Sequence, residues 1–517
     1  MSFPLRRICR MQLKLGQYGS GLQYRHSRTI QTKPPIPDAN ANKSQTFSTG
    51  SAIVGATVGI LTFLLINQLS RTENSKFGLE DIYCTAPLSG LALPKYNASR
   101  SNLDEARKEL IELLGAEKVS VHLGTRIAHS TTEWSEAPRG DLDRPRLIAY
   151  PTSTKETAEI AKICHRRRIP MIAFSGGTSL EGTLAAQNED VCIDFSRMNK
   201  ILATHPDDMD VVVQPGVGYE DLNTKLDESN LFFPPDPGPG AQIGGMIAQG
   251  CSGTNAYRYG TMKDWVLGLT VVLADGTIIK TRHRPRKSSA GYDLTRLFVG
   301  SEGTLGFVTE ATLKVTLKPQ NIRIAVASFP SIHAATTTTI QISASGHQLE
   351  AMELLDDVTM HAINESGYTE REWPEVSTIF FKISGQTPES VETQIDHVEQ
   401  LAKKNKCTSF ERSQTSDEAE SLWQARKTAL WSMIALKRNP DDQFLSADVA
   451  VPLSRLADII DETHKRLEKS GLIGSCLGHV GDGMYLHFSV LTFNTKDAAR
   501  KFPYNGSLLS QGEGSSS

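Results

Sequence analysis

Phe174-Ser175-Gly176-Gly177-Thr178-Ser179-Leu180-Glu181-Gly182 follows the apolar run IPMIA, and the fold reading turns on this stretch. A doubly charged pyrophosphate needs several backbone N–H groups brought together with no Cβ atoms in the way. A Gly-Gly turn ringed by Ser and Thr supplies both the room and the donors. The turn is not a GxGxxG opening a long helix, so the nicotinamide-type fingerprint is absent. Just upstream, LIAYP reads as a strand and TSTKETAEIAKICHRRR as a helix with Thr or Ser at its cap and apolar residues at helical spacing. The local unit is therefore strand, helix, strand, glycine loop.

Two further Cβ-poor clusters lie downstream. FPPDPGPGAQIGGMI (233–247) runs on into CSGTNAYRYG (251–260), and GSEGTLG (300–306) precedes a β run. So many rigid or side-chain-free positions are costly in regular elements, which implies backbone drawn close to an extended ligand. Asp236 stands between prolines and reads as a turn residue rather than a catalytic carboxylate. Further β runs at VCIDF, DVVVQP, VLGLTVVLADGTII and LGFVTEATLKVTL, with a helix at YEDLNTKLDESN, predict an α+β domain over 144–319. After Pro319, RIAVASFP, LEAMELLD and STIFFKISG alternate with helices at SIHAATTTTIQIS and SVETQIDHVEQLAKKN, a βαβ-like pattern that predicts an α/β cap domain over 320–490. The polar, Gly/Ser-rich stretch 491–517 reads as a loose tail.

Composition narrows the function classes. The 517 residues carry a formal charge of −3, with no basic surplus to neutralise a phosphate backbone, so nucleic-acid binding is not expected. Cysteines at 9, 84, 164, 192, 251, 407 and 476 form no CxxC pair, which supports neither a zinc ribbon nor a disulfide framework.

The amino end reads as targeting sequence. Arg6, Arg7, Arg10, Lys14, Arg25, Arg28 and Lys33 all precede the first acidic residue, Asp38, with Ser and Thr between them, the composition of a mitochondrial presequence over 1–43. SAIVGATVGILTFLLINQL (Ser51–Leu69) carries no charge and would span roughly 28 Å as a helix, so 49–69 is a candidate membrane anchor. Basic end and apolar stop together predict an inner-membrane tether with the main body in the intermembrane space. Residues 70–143 then read as a linker with an amphipathic helix near Leu103–Leu114.

FSGGTSLEG, PPDPGPGAQIGGMIAQGCSGTNAYRYGTMKD and VGSEGTLGFVTEATLKV closely resemble the FAD domain of the vanillyl-alcohol-oxidase-like flavoproteins, and LWQARK, DVAVPLSRL and GHVGDG resemble its D-2-hydroxyacid dehydrogenase branch. The resemblance covers about 145–490. It implies an FAD domain of two subdomains with the diphosphate on Ser175, Gly176, Gly177, Thr178 and Ser179. Pro235, Gly238, Gly244, Gly245, Ser252, Gly253, Tyr259 and Gly260 would line the path from adenine to flavin, with Gly303 nearby. It further implies oxidation of a 2-hydroxy acid such as D-lactate, with cytochrome c as acceptor. A D-2-hydroxyglutarate dehydrogenase and a catalytically impaired flavin-binding protein are the alternatives.

On the substrate side, Arg426 is the candidate for a two-point grip on the substrate carboxylate. His479 and His487, in GHVGDGMYLHF, resemble the segment that contributes histidines to a divalent metal, usually zinc, which would acidify a bound hydroxyl. Here Met484 stands where Asn is expected and one extra residue separates the histidines, so the ring of His487 is expected to be the less secure ligand. Relatives continue to a GEHG-like segment that supplies a metal carboxylate and a base; this sequence ends in QGEGSSS without it.

Overall fold

The structure is a computed structural model that describes residues 95–132, 144–180, 182–186, 190–438 and 442–491, with the backbone alone at 443 and 485–491. The basic leader, the apolar stretch Ser51–Leu69 and all but the first residue of the tail 491–517 lie outside the described residues. Among the described residues no helix is long and apolar enough to cross a membrane.

The first sheet has the order β1-β2-β4-β3, from β1 (Val119–Ser120), β2 (Leu147–Ala149), β3 (Met171–Phe174) and β4 (Val191–Asp194). β2 and β3 both pair parallel to β4. The helix Thr154–Arg167 links β2 to β3. Its cap is Ser153, whose side chain accepts the Glu156 N–H, and Ile160, Ala161 and Cys164 lie on its buried face. Ile148 and Ile193 are fully buried, so β3 is held from behind and delivers Ser175 at the sheet edge.

The second sheet is antiparallel, in the order β5-β6-β10-β8-β9, with β5 (Ile201–His205), β6 (Asp210–Val213), β8 (Val266–Val272), β9 (Ile278–Lys280) and β10 (Phe307–Lys314). A small pair, β7 (Leu231–Phe232) with β11 (Thr316–Leu317), closes its rim. The helix Ile243–Gln249 follows the proline-glycine run and buries Ile243, Met246 and Ile247 in the core of this sheet.

The cap is built on seven strands: β12 (Arg323–Ser328), β13 (Ala351–Leu355), β14 (Thr378–Ile383), β15 (Ser409–Arg412), β16 (Gln443–Ala450), β17 (Ile473–Gly478) and β18 (Met484–Leu491), in the order β15-β12-β14-β13-β17-β18-β16. Every neighbouring pair is antiparallel, which corrects the βαβ-like reading of an α/β cap. β12 and β13 do run the same way through the helix Ile332–Ala344, but β14 sits between them. β12 likewise separates β14 from β15. These are split βαβ units, and strand order set by distant pairing leaves no mark on local periodicity.

Both faces of the cap sheet are covered. Helices Ile332–Ala344, Pro388–Lys404 and Leu456–Ser470 pack on one face with Met352, Leu354 and Cys476. Helices Asp357–Ser366 and Ser416–Ala435 pack on the other with Ala351, Leu355 and Leu477. After β17 the chain turns tightly through Val480–Asp482, where a Cβ on Gly481 would overlap the ring of Tyr257.

Candidate FAD and substrate site

A cavity of about 910 Å³ runs from the loop after β3, past the helix Ile243–Gln249 and the turn Ser301–Thr304, to the cap strand β16, His479 just after β17 and Met484 at the start of β18. Among the described residues, the amides of Gly176, Gly177 and Thr178 have no hydrogen-bond partner. The loop is nonetheless fixed. The Ser175 hydroxyl donates to Gln242 Oε1 at 2.9 Å, and a Cβ on Gly176 would lie 2.7 Å from the Gly240 carbonyl oxygen. Gly177 has φ +65°, and an added Cβ there would meet Phe174 at 2.8 Å. Two chain segments thus touch through glycine, and unspent amides beside a cavity of cofactor size fit the diphosphate of FAD.

Of the cofactor positions expected from the sequence, Ser175–Ser179, Gly238, Gly244, Gly245, Ser252, Gly253 and Gly303 line the cavity. Pro235, Tyr259 and Gly260 do not. Tyr259 packs edge-on against Phe232 and Trp265, and the turn at Gly260 closes on Asp264. Asp236 accepts from the Thr254 hydroxyl at 2.6 Å and the Asn255 N–H at 2.9 Å, pinning the proline run to the next glycine cluster. Burial pushes its carboxyl up, against the pull of nearby Lys382.

On the cap side, His479 and Arg426 converge on a residue the sequence reading did not single out. Glu353, from β13, accepts from His479 Nδ1 at 2.7 Å on one oxygen and from Arg426 Nε at 2.9 Å on the other. Glu353 is 1% exposed. Burial pushes its carboxyl up, but the two cations outweigh it and hold it below the usual range. Burial likewise pulls the His479 imidazolium down, and the Glu353 charge outweighs it, so the ring sits above its ordinary value. The result is a buried carboxylate held between two positive groups.

His479 lines the cavity with Ser446, Asp448 and Met484. Arg426 does not: its Nε is committed to Glu353, and it stands behind the pair, neither an exposed helix salt bridge nor a wall of the cavity. The backbone of His487 pairs with Cys476 and with Ala447; its side chain lies outside the described residues. Among the described residues no third metal-ligating group joins His479. Asp448 lies in the DVAVP motif already noted, whereas Glu353 lies in an apolar strand with no local signal.

A dinucleotide cradle on two α+β subdomains facing an antiparallel cap defines an FAD-linked oxidase. The FAD binding domain family matches residues 145–282 and the C-terminal domain family of FAD linked oxidases matches 318–504. Solved structures share the fold: 4-ethylphenol oxidase from Gulosibacter chungangensis aligns at TM-score 0.63 and 19% identity, covering 77% of this chain and 84% of that one. The mitochondrial D-lactate dehydrogenase [cytochrome] 1 of Saccharomyces cerevisiae is 44% identical over 420 residues, 80% of this chain and 72% of the relative. Its Kluyveromyces lactis counterpart is 42% identical over 455 residues, 86% and 77% of the two chains. The chain belongs to this D-lactate dehydrogenase [cytochrome] family of FAD-linked oxidoreductases. The D-2-hydroxyglutarate dehydrogenase of Bos taurus is more distant, 28% identical over 378 residues, 72% of this chain and 68% of the relative.

Proposed function

We propose that the protein oxidises D-lactate to pyruvate and passes the electrons to cytochrome c, working in the mitochondrion. The observation that carries this reading is the single cavity that has the free amides of Gly176–Thr178 at one end and His479 at the other. FAD held there would supply the acceptor for the hydride equivalent that leaves the substrate Cα. Ser175–Ser179 would hold its diphosphate, and residues 144–319 and 320–490 would form the cofactor and cap domains.

The chain's own share is to bind and orient the substrate. His479 offers the cavity Nε2, because Nδ1 is tied to Glu353. In its charged form the ring attracts the substrate carboxylate, and in its neutral form it can take the hydroxyl proton. Arg426 would keep Glu353 ionised and the His479 ring oriented, and would add positive potential from behind. That replaces the direct two-point grip expected from the sequence with action through Glu353. For a metal on His479 and His487, the described residues supply the His479 imidazole, and the side chain of His487 lies outside them.

Anaerobic mixing with D-lactate tests the reading. The yellow colour should bleach within the mixing experiment, D-2-hydroxyglutarate should leave it unchanged, and admitting oxidised cytochrome c should restore it. Flavin that stays oxidised with D-lactate would reject it. The anchor at 49–69 and an intermembrane-space body are part of the proposal: protease added to mitochondria with ruptured outer membranes should digest the main body, and protection there would place it in the matrix.

A further inference from the structure

On the face of the cap sheet away from Glu353 and His479, three residues of different chemistry meet. Asp356 directly follows β13, Cys476 lies on β17, and His464 projects from the helix Leu456–Ser470. One ligand atom from each lies within 4.8 Å of the other two. Alternation along β13 explains the separation: Glu353 points to the side of the helix Ser416–Ala435, and Asp356, three residues on, points to the opposite side.

We propose that Asp356, His464 and Cys476 bind a divalent cation of the zinc class. A carboxylate, an imidazole and a thiolate are the ligand types that borderline-soft zinc takes, and three protein ligands leave a fourth position for water. Asp356 and Cys476 are fully buried, and His464 is about a quarter exposed, so the open position has a route to solvent. Asp356 Oδ1 is spent on the Thr359 N–H and hydroxyl at the start of the helix Asp357–Ser366, which orients Oδ2 toward the cluster.

Oδ2 accepts from His464 Nε2 at 2.9 Å and from the Cys476 N–H at 2.5 Å. The first of these is close to the ligand-to-ligand edge of a tetrahedral zinc site, about 3.3 Å for two bonds of about 2.0 Å. The Cys476 thiol is fully buried, and among the described residues it has no hydrogen-bond partner. The thiol also packs with the apolar core of this face, and what sets it apart is that its sulfur lies within 4.8 Å of both an imidazole nitrogen and a carboxylate oxygen.

Binding would release the thiol proton and the proton shared by His464 and Asp356 to solvent, and two anionic ligands would cancel the charge of the dication. The ion would clamp the helix Leu456–Ser470 to β13 and β17 from behind. Those strands carry Glu353 and lead to His479, so the clamp would stiffen the active pair without touching substrate.

The test reads the metal shell, not turnover, so its result is independent of the D-lactate reading. The full-length holoprotein, equilibrated with zinc and desalted, should hold one zinc per chain, with one sulfur scatterer at about 2.3 Å in zinc-edge X-ray absorption. Cys476→Ser should lose the sulfur shell. His464→Gln, at a partly exposed position, should keep the fold and weaken zinc affinity by more than the roughly 10- to 100-fold that losing even an outer-shell partner costs. His479→Ala should leave the sulfur shell intact. No retained zinc, a shell of nitrogen and oxygen only, or a sulfur shell that survives Cys476→Ser would each overturn the proposal.

Discussion

Glu353 serves two cations with two oxygens, and that division makes it the most exposed point of failure among the site's residues. Glu353→Gln keeps the shape but removes the charge, leaving Arg426 and His479 facing each other without a counter-ion. Breaking a buried pair in this way costs about 3–5 kcal/mol. The expected outcome is a lower thermal midpoint and a fall in kcat/KM for D-lactate of about 100-fold, the scale of a misplaced catalytic group. Flavin content, read from visible absorbance, should not change, and equal loss of flavin would show that Glu353 holds the fold alone. The sequence displayed Arg426 and His479 inside recognisable motifs. It hid Glu353, which lies 73 positions from the arginine and 126 from the histidine in the apolar run AMELL. A carboxylate buried by tertiary pairing carries no nearby signature.

Elements were easier to read where their signals are local. The helix Thr154–Arg167 was legible from its apolar spacing and its capping residue, and Ser153 does accept the Glu156 N–H. Ser153→Ala should cost about 1 kcal/mol, measured by denaturant midpoint, with no change in flavin spectrum. The glycine loops were legible for the same reason: the need for Cβ-free approach is written into the residues themselves. The cap sheet was not. Strands β12 to β15 have the right periodicity for either neighbour arrangement, and only the insertion of β14 and β12 between their crossover partners makes the sheet antiparallel.

Across the whole molecule, the flavin-cradle half and the cap are joined by buried polar contacts. Arg258 donates to Glu350, which also accepts from Ser384, and Lys382 reaches Asn255 Oδ1 at 3.2 Å while lying 4.5 Å over the Trp423 ring. Burial pulls the Lys382 ammonium down, and Asp236 and Glu353 oppose that pull. Arg258→Ala strands a carboxylate that is 1% exposed, so it should destabilise by about 3–5 kcal/mol. Thermal unfolding followed by both flavin fluorescence and far-ultraviolet circular dichroism should show the two signals moving down together. Separate transitions would mean that the halves stand independently.

The turn after β17 adds a dimension to this joint. Gly481 lies two residues from His479 and flat against Tyr257, whose hydroxyl donates to Ser343 at 3.3 Å. On the cap side only bare backbone meets the Tyr257 ring, so this glycine sets how closely the turn that carries His479 approaches the cradle half. Even one methyl group would collide with that ring and wedge the halves apart, so a residue without a side chain decides how tightly the cavity between them can shut.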